Sequence, residues 1–135
     1  MKMNNMFWNV RRNRGWAWKD QFVERIQKLH LKALDLESWY LAKKPDDADD
    51  EYACILRACR ECVEILEECS NLASMMLAPR RNQKARTFEV QAKKALDELQ
   101  DSLHESLTFV YPMTQGTLVK RAGDLKILII NFIAL

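Results

Sequence analysis

Apolar residues recur every three or four positions along most of this chain, the spacing that lines one face of a helix. Over about residues 17–43 the stripe is Phe22, Ile26, Leu29, Ala33, Leu36 and Tyr40. Over about 48–77 it is Ile55, Ala58, Cys62, Ile65, Cys69, Leu72 and Met76. Over about 82–110 it runs through Phe88, Ala92, Ala95 or Leu96, Leu99, Leu103, Leu107 and Val110. Pro45, Pro79 and Pro112 separate these runs. Proline lacks a backbone donor and clashes with the preceding turn, so each marks a predicted helix boundary. Asp46, Asp47, Asp49, Asp50 and Glu51 precede the second stripe, supplying an Asp cap and negative charge at the positive end of a helix dipole.

The first two stripes predict an αα-hairpin with a defined register. With Phe22 at heptad position d and Ile55 at a, Arg25 and Lys32 fall at g on one helix and Glu61 and Glu68 at g on the other. Folded back antiparallel, Arg25 faces Glu68 and Lys32 faces Glu61. Both pairs centre on Asp46 and Asp47, beside the break at Pro45.

The last segment, about 114–135, carries Leu118, Ala122, Leu125, Leu128 or Ile129, and Phe132 at helical spacing, with Thr114 or Thr117 as caps. Its isoleucines are β-prone, but nothing else in the chain reads as a strand to pair with it. Helix is therefore expected unless another chain supplies the partner. Gly123 predicts a weak point or kink, since glycine costs about 1 kcal/mol in a helix interior.

At 135 residues, with 48% hydrophobic and 30% charged side chains, the chain is long enough for one core without covalent staples. Three glycines and three prolines leave too little turn chemistry for a many-stranded fold. The predicted architecture is a single all-α domain, an up-down four-helix bundle over 20–135, preceded by a basic, Trp-rich arm over 1–19. The longest apolar run, Leu125 to Leu135, is about half the ~20 residues of a membrane-spanning helix, so no transmembrane segment is expected. The arm also lacks the apolar stretch of a secretory signal.

All four cysteines, Cys54, Cys59, Cys62 and Cys69, fall on the second predicted helix. On a straight helix Cys54 and Cys69 are roughly 22 Å apart, too far to share one metal. The nine-residue gap between Cys59 and Cys69 is similar to that of mitochondrial disulfide-bonded helical hairpins. Those need a second cysteine pair on a second helix, which this chain lacks. Buried thiols in an intracellular reducing compartment, most simply the cytoplasm, are the expectation.

Arg25 and His30, with four residues between them, resemble the Arg-x4–6-His motif of HEPN-type ribonucleases. The resemblance implies His30 as acid/base on a 2′-hydroxyl and Arg25 as phosphate support. In this chain the two side chains diverge by about 140° on a regular helix, and Ile26 stands where the family commonly has a polar residue. His30 and His104, the two histidines, have no partner at metal-ligand spacing. With no Gly-rich phosphate loop, Ser-His-Asp set or paired apolar carboxylates, the chain is expected to be no enzyme and to hold no metal or cofactor.

Two clusters remain as candidate partner-binding residues. The arm carries Phe7, Trp8, Arg11, Arg12, Arg14, Trp16 and Trp18, and the second connection carries Arg80, Arg81, Lys84 and Arg86. In an up-down bundle these meet at one end. Charge is segregated: residues 1–44 hold 10 basic against 4 acidic side chains, 45–79 hold 2 against 9, and 80–135 hold 9 against 6. Arginine and tryptophan dominate interface hot spots, so the leading expectation is an adaptor or assembly subunit that binds protein through this end. The partner is a different protein or a second copy. The alternative expectation is RNA binding, with the aromatics stacking on bases and the arginines neutralising phosphate.

Overall fold

The computed structural model describes residues 16–108 and 112–134, and side chains within 16–106 and 116–134. Every element among them is a helix: α1 (Ala17–Ala42), α2 (Asp50–Ser74), α3 (Asn82–Thr108) and α4 (Pro112–Ala134).

Local chemistry sets the ends of the first hairpin. α1 stops before Pro45, which disfavours helical backbone in the residue preceding it. α2 starts at the acid-rich segment, where the Asp49 carboxylate accepts the Tyr52 amide proton at 3.0 Å and Asp50 and Glu51 occupy the first turn. The Tyr52 hydroxyl donates to the Tyr40 carbonyl, tying the start of α2 to the end of α1. Pro112 marks the expected boundary between α3 and α4. It is the first residue of α4, where its missing N–H costs nothing and its fixed φ suits the helix. α4 then runs without interruption through Gly123 to Ala134, so the helical reading of the last segment holds and no break forms at the glycine.

α1 packs on α2 and α3, and α4 packs on the same two helices. Directions follow from the contacts. Arg60 pairs with Glu37, and Tyr52 bonds Tyr40, so α2 runs antiparallel to α1. Trp18 meets Phe88 and Arg25 meets Asp97, so α3 runs parallel to α1. Phe88 meets Phe132 and Arg121 reaches Glu98, so α4 runs antiparallel to α3.

The interior of α1 is Phe22, Ile26, Leu29, Ala33, Leu36 and Tyr40, the full expected stripe. α4 likewise buries Leu118, Ala122, Leu125, Ile129 and Phe132. On α3, Phe88, Ala92, Leu96, Leu99 and Leu103 are buried, while Leu107 and Val110 lie outside the described side chains. Each large side chain so buried contributes about 1.5–3 kcal/mol of transfer free energy.

α2 is where the expected face and the observed one differ. Ile55, Cys62 and Cys69 belong to both, as does Met76, buried just past the end of the helix. The alternate positions Ala58, Ile65 and Leu72 are only half-buried, and Cys59, Leu66 and Ala73 take their places in the core. Leu56 and Val63 are buried as well, so the face is turned by at least about 50°, half the rotation per residue. The cause is a second neighbour: α2 is wedged between α1 and α4, whereas the heptad reading considered α1 alone.

The same rotation overturns the expected charged seam. Arg25 bonds Asp97 and Gln100 on α3, the latter at 3.0 Å, and Glu68 pairs with Lys126 on α4. Lys32 and Glu61 are both exposed and form no ion pair among the described residues. The charge link between α1 and α2 is instead Glu37 with Arg60, at 3.8 Å.

Candidate partner-binding end

The start of α1, the start of α3 and the end of α4 converge on an aromatic cluster of Trp16, Trp18, Phe22, Phe88 and Phe132. Trp18 stacks on Phe22 at 4.8 Å between ring centroids, and both meet Phe88 edge-on at 5.6 Å. Phe88 and Phe132 lie 4.2 Å apart, and Trp16 packs against Phe132 at 5.5 Å. The Trp16 indole N–H donates to the Glu89 carboxylate at 3.0 Å. The Lys84 ammonium sits 5.0 Å from the centroid of Phe132, within cation–π range.

These positions revise the expected arm. α1 begins at Ala17, so residues 17–19 are its first turn. Trp16 is only 7% exposed and Trp18 is half-buried, so both tryptophans close the end of the core rather than standing outside it. The reason lies in their spacing: Trp18 precedes Phe22 by one helical turn and extends the α1 stripe, and Trp16 fills the gap beside Phe132. Phe7, Trp8, Arg11, Arg12 and Arg14 lie outside the described residues.

The second basic cluster falls at the same end. Trp16, Lys19, Leu77 and Arg80 line one cavity of about 680 Å³. Leu77, Arg80, Lys84 and Phe132 line a neighbouring one of about 310 Å³. Arg81, Lys84 and Phe132 border a third of about 380 Å³. Arg80, Arg81 and Arg86 are exposed, and Lys84 is half-buried over its ring. Arg86 lines none of these three cavities. The sequence reading missed Met75 and Leu77, which are 68% and 82% exposed beside the arginines. Their signal was present as three consecutive apolar residues, Met75, Met76 and Leu77, of which a helix end can bury only part.

Elsewhere the expected chemistry finds little support in geometry. Arg25 is held against α3 by Asp97 and Gln100. His30 is half-buried, with Nε2 enclosed and without a hydrogen-bond partner. Nothing brings these two side chains to one point. Cys59, Cys62 and Cys69 are buried free thiols, but Cys54 is exposed, against the expectation that all four are buried. Loss of solvent pushes the thiol of Cys59 up to about 11 and those of Cys62 and Cys69 up to about 12. Thiols so far above neutral pH are poor nucleophiles and poor metal ligands. Among the described residues, no group of three or more His, Cys, Asp or Glu side chains is placed to hold a metal ion. None of the described helices is long and apolar enough to cross a membrane.

A polar path, also missed in the sequence and part-exposed at Arg121, joins α3 to α4. The Arg121 guanidinium donates to the Ser102 hydroxyl at 2.6 Å and to the Glu98 carbonyl at 2.7 Å, and the buried Ser106 donates to the Ser102 carbonyl at 2.8 Å. It fixes the packing of these two helices at a distance from the basic end.

Comparison with protein-family models, curated proteins and solved structures finds no match to this chain.

Proposed function

We propose that this chain is a non-enzymatic interaction protein, an adaptor or assembly subunit, built as an up-down four-helix bundle with a basic N-terminal segment. It contacts a protein partner through the end that carries Trp16, Lys19, Met75, Leu77, Arg80, Arg81 and Lys84, together with Phe7, Trp8, Arg11, Arg12, Arg14 and Arg86. The observation that carries this reading is the pairing of exposed Met75 and Leu77 with exposed Arg80 and Arg81 at one end of the core. Large exposed apolar side chains beside arginine are the composition of a contact surface rather than of a solvated helix end.

Protein is favoured over RNA by the burial of the aromatics. Among the described rings at this end, Trp16, Phe22, Phe88 and Phe132 are at most 8% exposed and Trp18 is half-buried against Phe22 and Phe88, so none of these five offers a fully free face on which a base could stack. The buried free thiols support an intracellular reducing compartment.

The test uses substitutions in the full chain, because deleting residues 1–19 would remove Trp16 and Trp18 from the core. Affinity capture compares the natural protein with Arg80→Glu/Arg81→Glu and with Arg11→Glu/Arg12→Glu/Arg14→Glu, followed by identification of co-purifying protein and nucleic acid. The expected result is loss of protein partners from the charge-reversed forms, with helical content unchanged by circular dichroism. Retention of the same partners by both forms overturns the assignment. Co-purifying RNA, bound with an affinity that falls steeply as salt rises, replaces it with the nucleic-acid reading.

A further inference from the structure

The three cavities at the basic end share walls. Leu77 and Arg80 border both the cavity beside Trp16 and the one beside Phe132, and Lys84 and Phe132 border both that cavity and the third. Side by side they outline a groove from the first turn of α1 across the α2–α3 connection to the gap between α3 and α4. Its exposed apolar side chains are aliphatic, Met75 and Leu77 from the connection and Ile133, 42% exposed, from the last turn of α4, while the buried rings of Trp16, Phe88 and Phe132 form part of its walls.

The charge along this groove is one-sided. Lys19, Arg80 and Arg81 form no ion pair among the described residues. Two acids lie nearby: Asp20, which borders the groove, and Glu89, whose carboxylate is occupied by the Trp16 indole. A groove with exposed aliphatic side chains and unpaired cations along it is complementary to a ligand with the opposite charge and the same apolar character.

We propose that this groove binds an acidic peptide segment of a partner protein, one that places large aliphatic or aromatic side chains over Met75, Leu77 and Ile133 and carboxylates beside Lys19, Arg80 and Arg81. This rests on the reading of the basic end as a protein contact and names the chemistry of what it contacts. A second copy of this chain is a poorer occupant through its own basic end, because like charges would face each other across the contact. An anionic lipid surface is a poorer occupant because the rings at this end, Trp16 and Phe132, are buried in the core and not free to enter a membrane interface.

The test is selection from a random dodecapeptide library displayed on phage, with the immobilised full-length protein as target. The most enriched peptides are then synthesised and titrated by fluorescence anisotropy against the natural protein, Leu77→Glu and Arg80→Glu/Arg81→Glu. All three positions are exposed, and circular dichroism checks that the helices persist. Met75→Glu serves in place of any variant that fails that check. The expected result is enrichment of sequences rich in Asp and Glu with two or more large apolar residues, whose affinity falls at least tenfold in both variants.

Neutral or basic peptides that still lose affinity in both variants overturn the proposed ligand chemistry while leaving the end as a contact surface. Peptides indifferent to both variants overturn the contact surface itself. An absence of enrichment also overturns the proposal. So does binding to phosphatidylglycerol-containing vesicles, or self-association in sedimentation, that Leu77→Glu abolishes.

Discussion

The indole N–H of Trp16 donates to the carboxylate of Glu89 across 3.0 Å, joining the entry of α1 to the second turn of α3. This contact makes the tryptophan part of the core and explains how two helices far apart in sequence come to share one end. Trp16→Phe keeps much of the ring packing and loses the hydrogen bond, so it is expected to cost about 1 kcal/mol. Trp16→Ala also opens a void among Trp18, Phe132 and the connection, and about 3–5 kcal/mol is expected. Urea denaturation of the two variants checks both values. A Trp16→Ala protein as stable as the natural one would place this side chain outside the core.

Arg25 and Asp97 bridge α1 to α3 with 32% and 53% of their side chains exposed. An exposed pair of this kind is worth about 0.2–1 kcal/mol. A double-mutant cycle with Arg25→Ala and Asp97→Ala is expected to give a coupling energy in that range. The cycle of Arg25→Ala with Glu68→Ala is expected to be additive, because Glu68 is engaged with Lys126 on α4. Coupling in the second cycle and none in the first would restore the seam read from the heptads.

The thiols divide by accessibility. With the native protein at neutral pH, Cys54 is expected to react rapidly with a thiol reagent such as DTNB. Cys59, Cys62 and Cys69 are expected to react only on the timescale of unfolding. Rapid stoichiometric labelling of all four would contradict the packing of α2.

The same burial makes stability pH-dependent. The folded thiols hold their protons up to about 11 to 12, whereas an unfolded chain releases them from about 9. The stabilisation is fully present below pH 9 and is lost as pH rises through the folded values. Melting temperature is expected to fall between pH 9 and 11, and to fall less steeply in a Cys62→Ala/Cys69→Ala protein referred to its own value at pH 8.

Gly123 sits within α4 without a positive φ, and a Cβ added there meets nothing within 4 Å. Replacing it with alanine is expected to stabilise the fold by about 0.5–1 kcal/mol through helix propensity and the restriction of the unfolded chain. Chemical denaturation checks this, and destabilisation would show that α4 depends on a glycine at that point.

Much of the fold was legible in the periodicity. The six-residue stripe of α1 and its extent of about 17–43, against Ala17–Ala42 observed, follow from spacing and Pro45. α4 was legible because no second strand existed to pair with its isoleucines. What escaped depends on more than one neighbour at a time. α2 has core contacts on two sides, so a heptad drawn against α1 alone selected Ala58, Ile65 and Leu72 instead of Cys59, Leu66 and Ala73. Arg25 has equally good acids on two helices, and only the packing chooses Asp97. Ser102 and Ser106 stand outside the apolar stripe of α3, yet they are buried because Arg121 from α4 and the helix's own carbonyls meet their hydrogen bonds. At the candidate end the arginines were legible as a charge cluster. The side on which the tryptophans lie was not, since a basic aromatic segment reads the same whether its rings face inward or outward.

Site-specific photo-crosslinking tests the role of the basic end most directly. A photoreactive amino acid is placed at Leu77 in the groove or, as a control of similar exposure, at Val90 on α3, 71% exposed, in cells that produce the protein natively. The expected result is a discrete protein adduct from position 77 that disappears with Arg80→Glu/Arg81→Glu, and none from position 90. Adducts from position 90 alone, or equal adducts from both that ignore the charge reversal, would contradict the account.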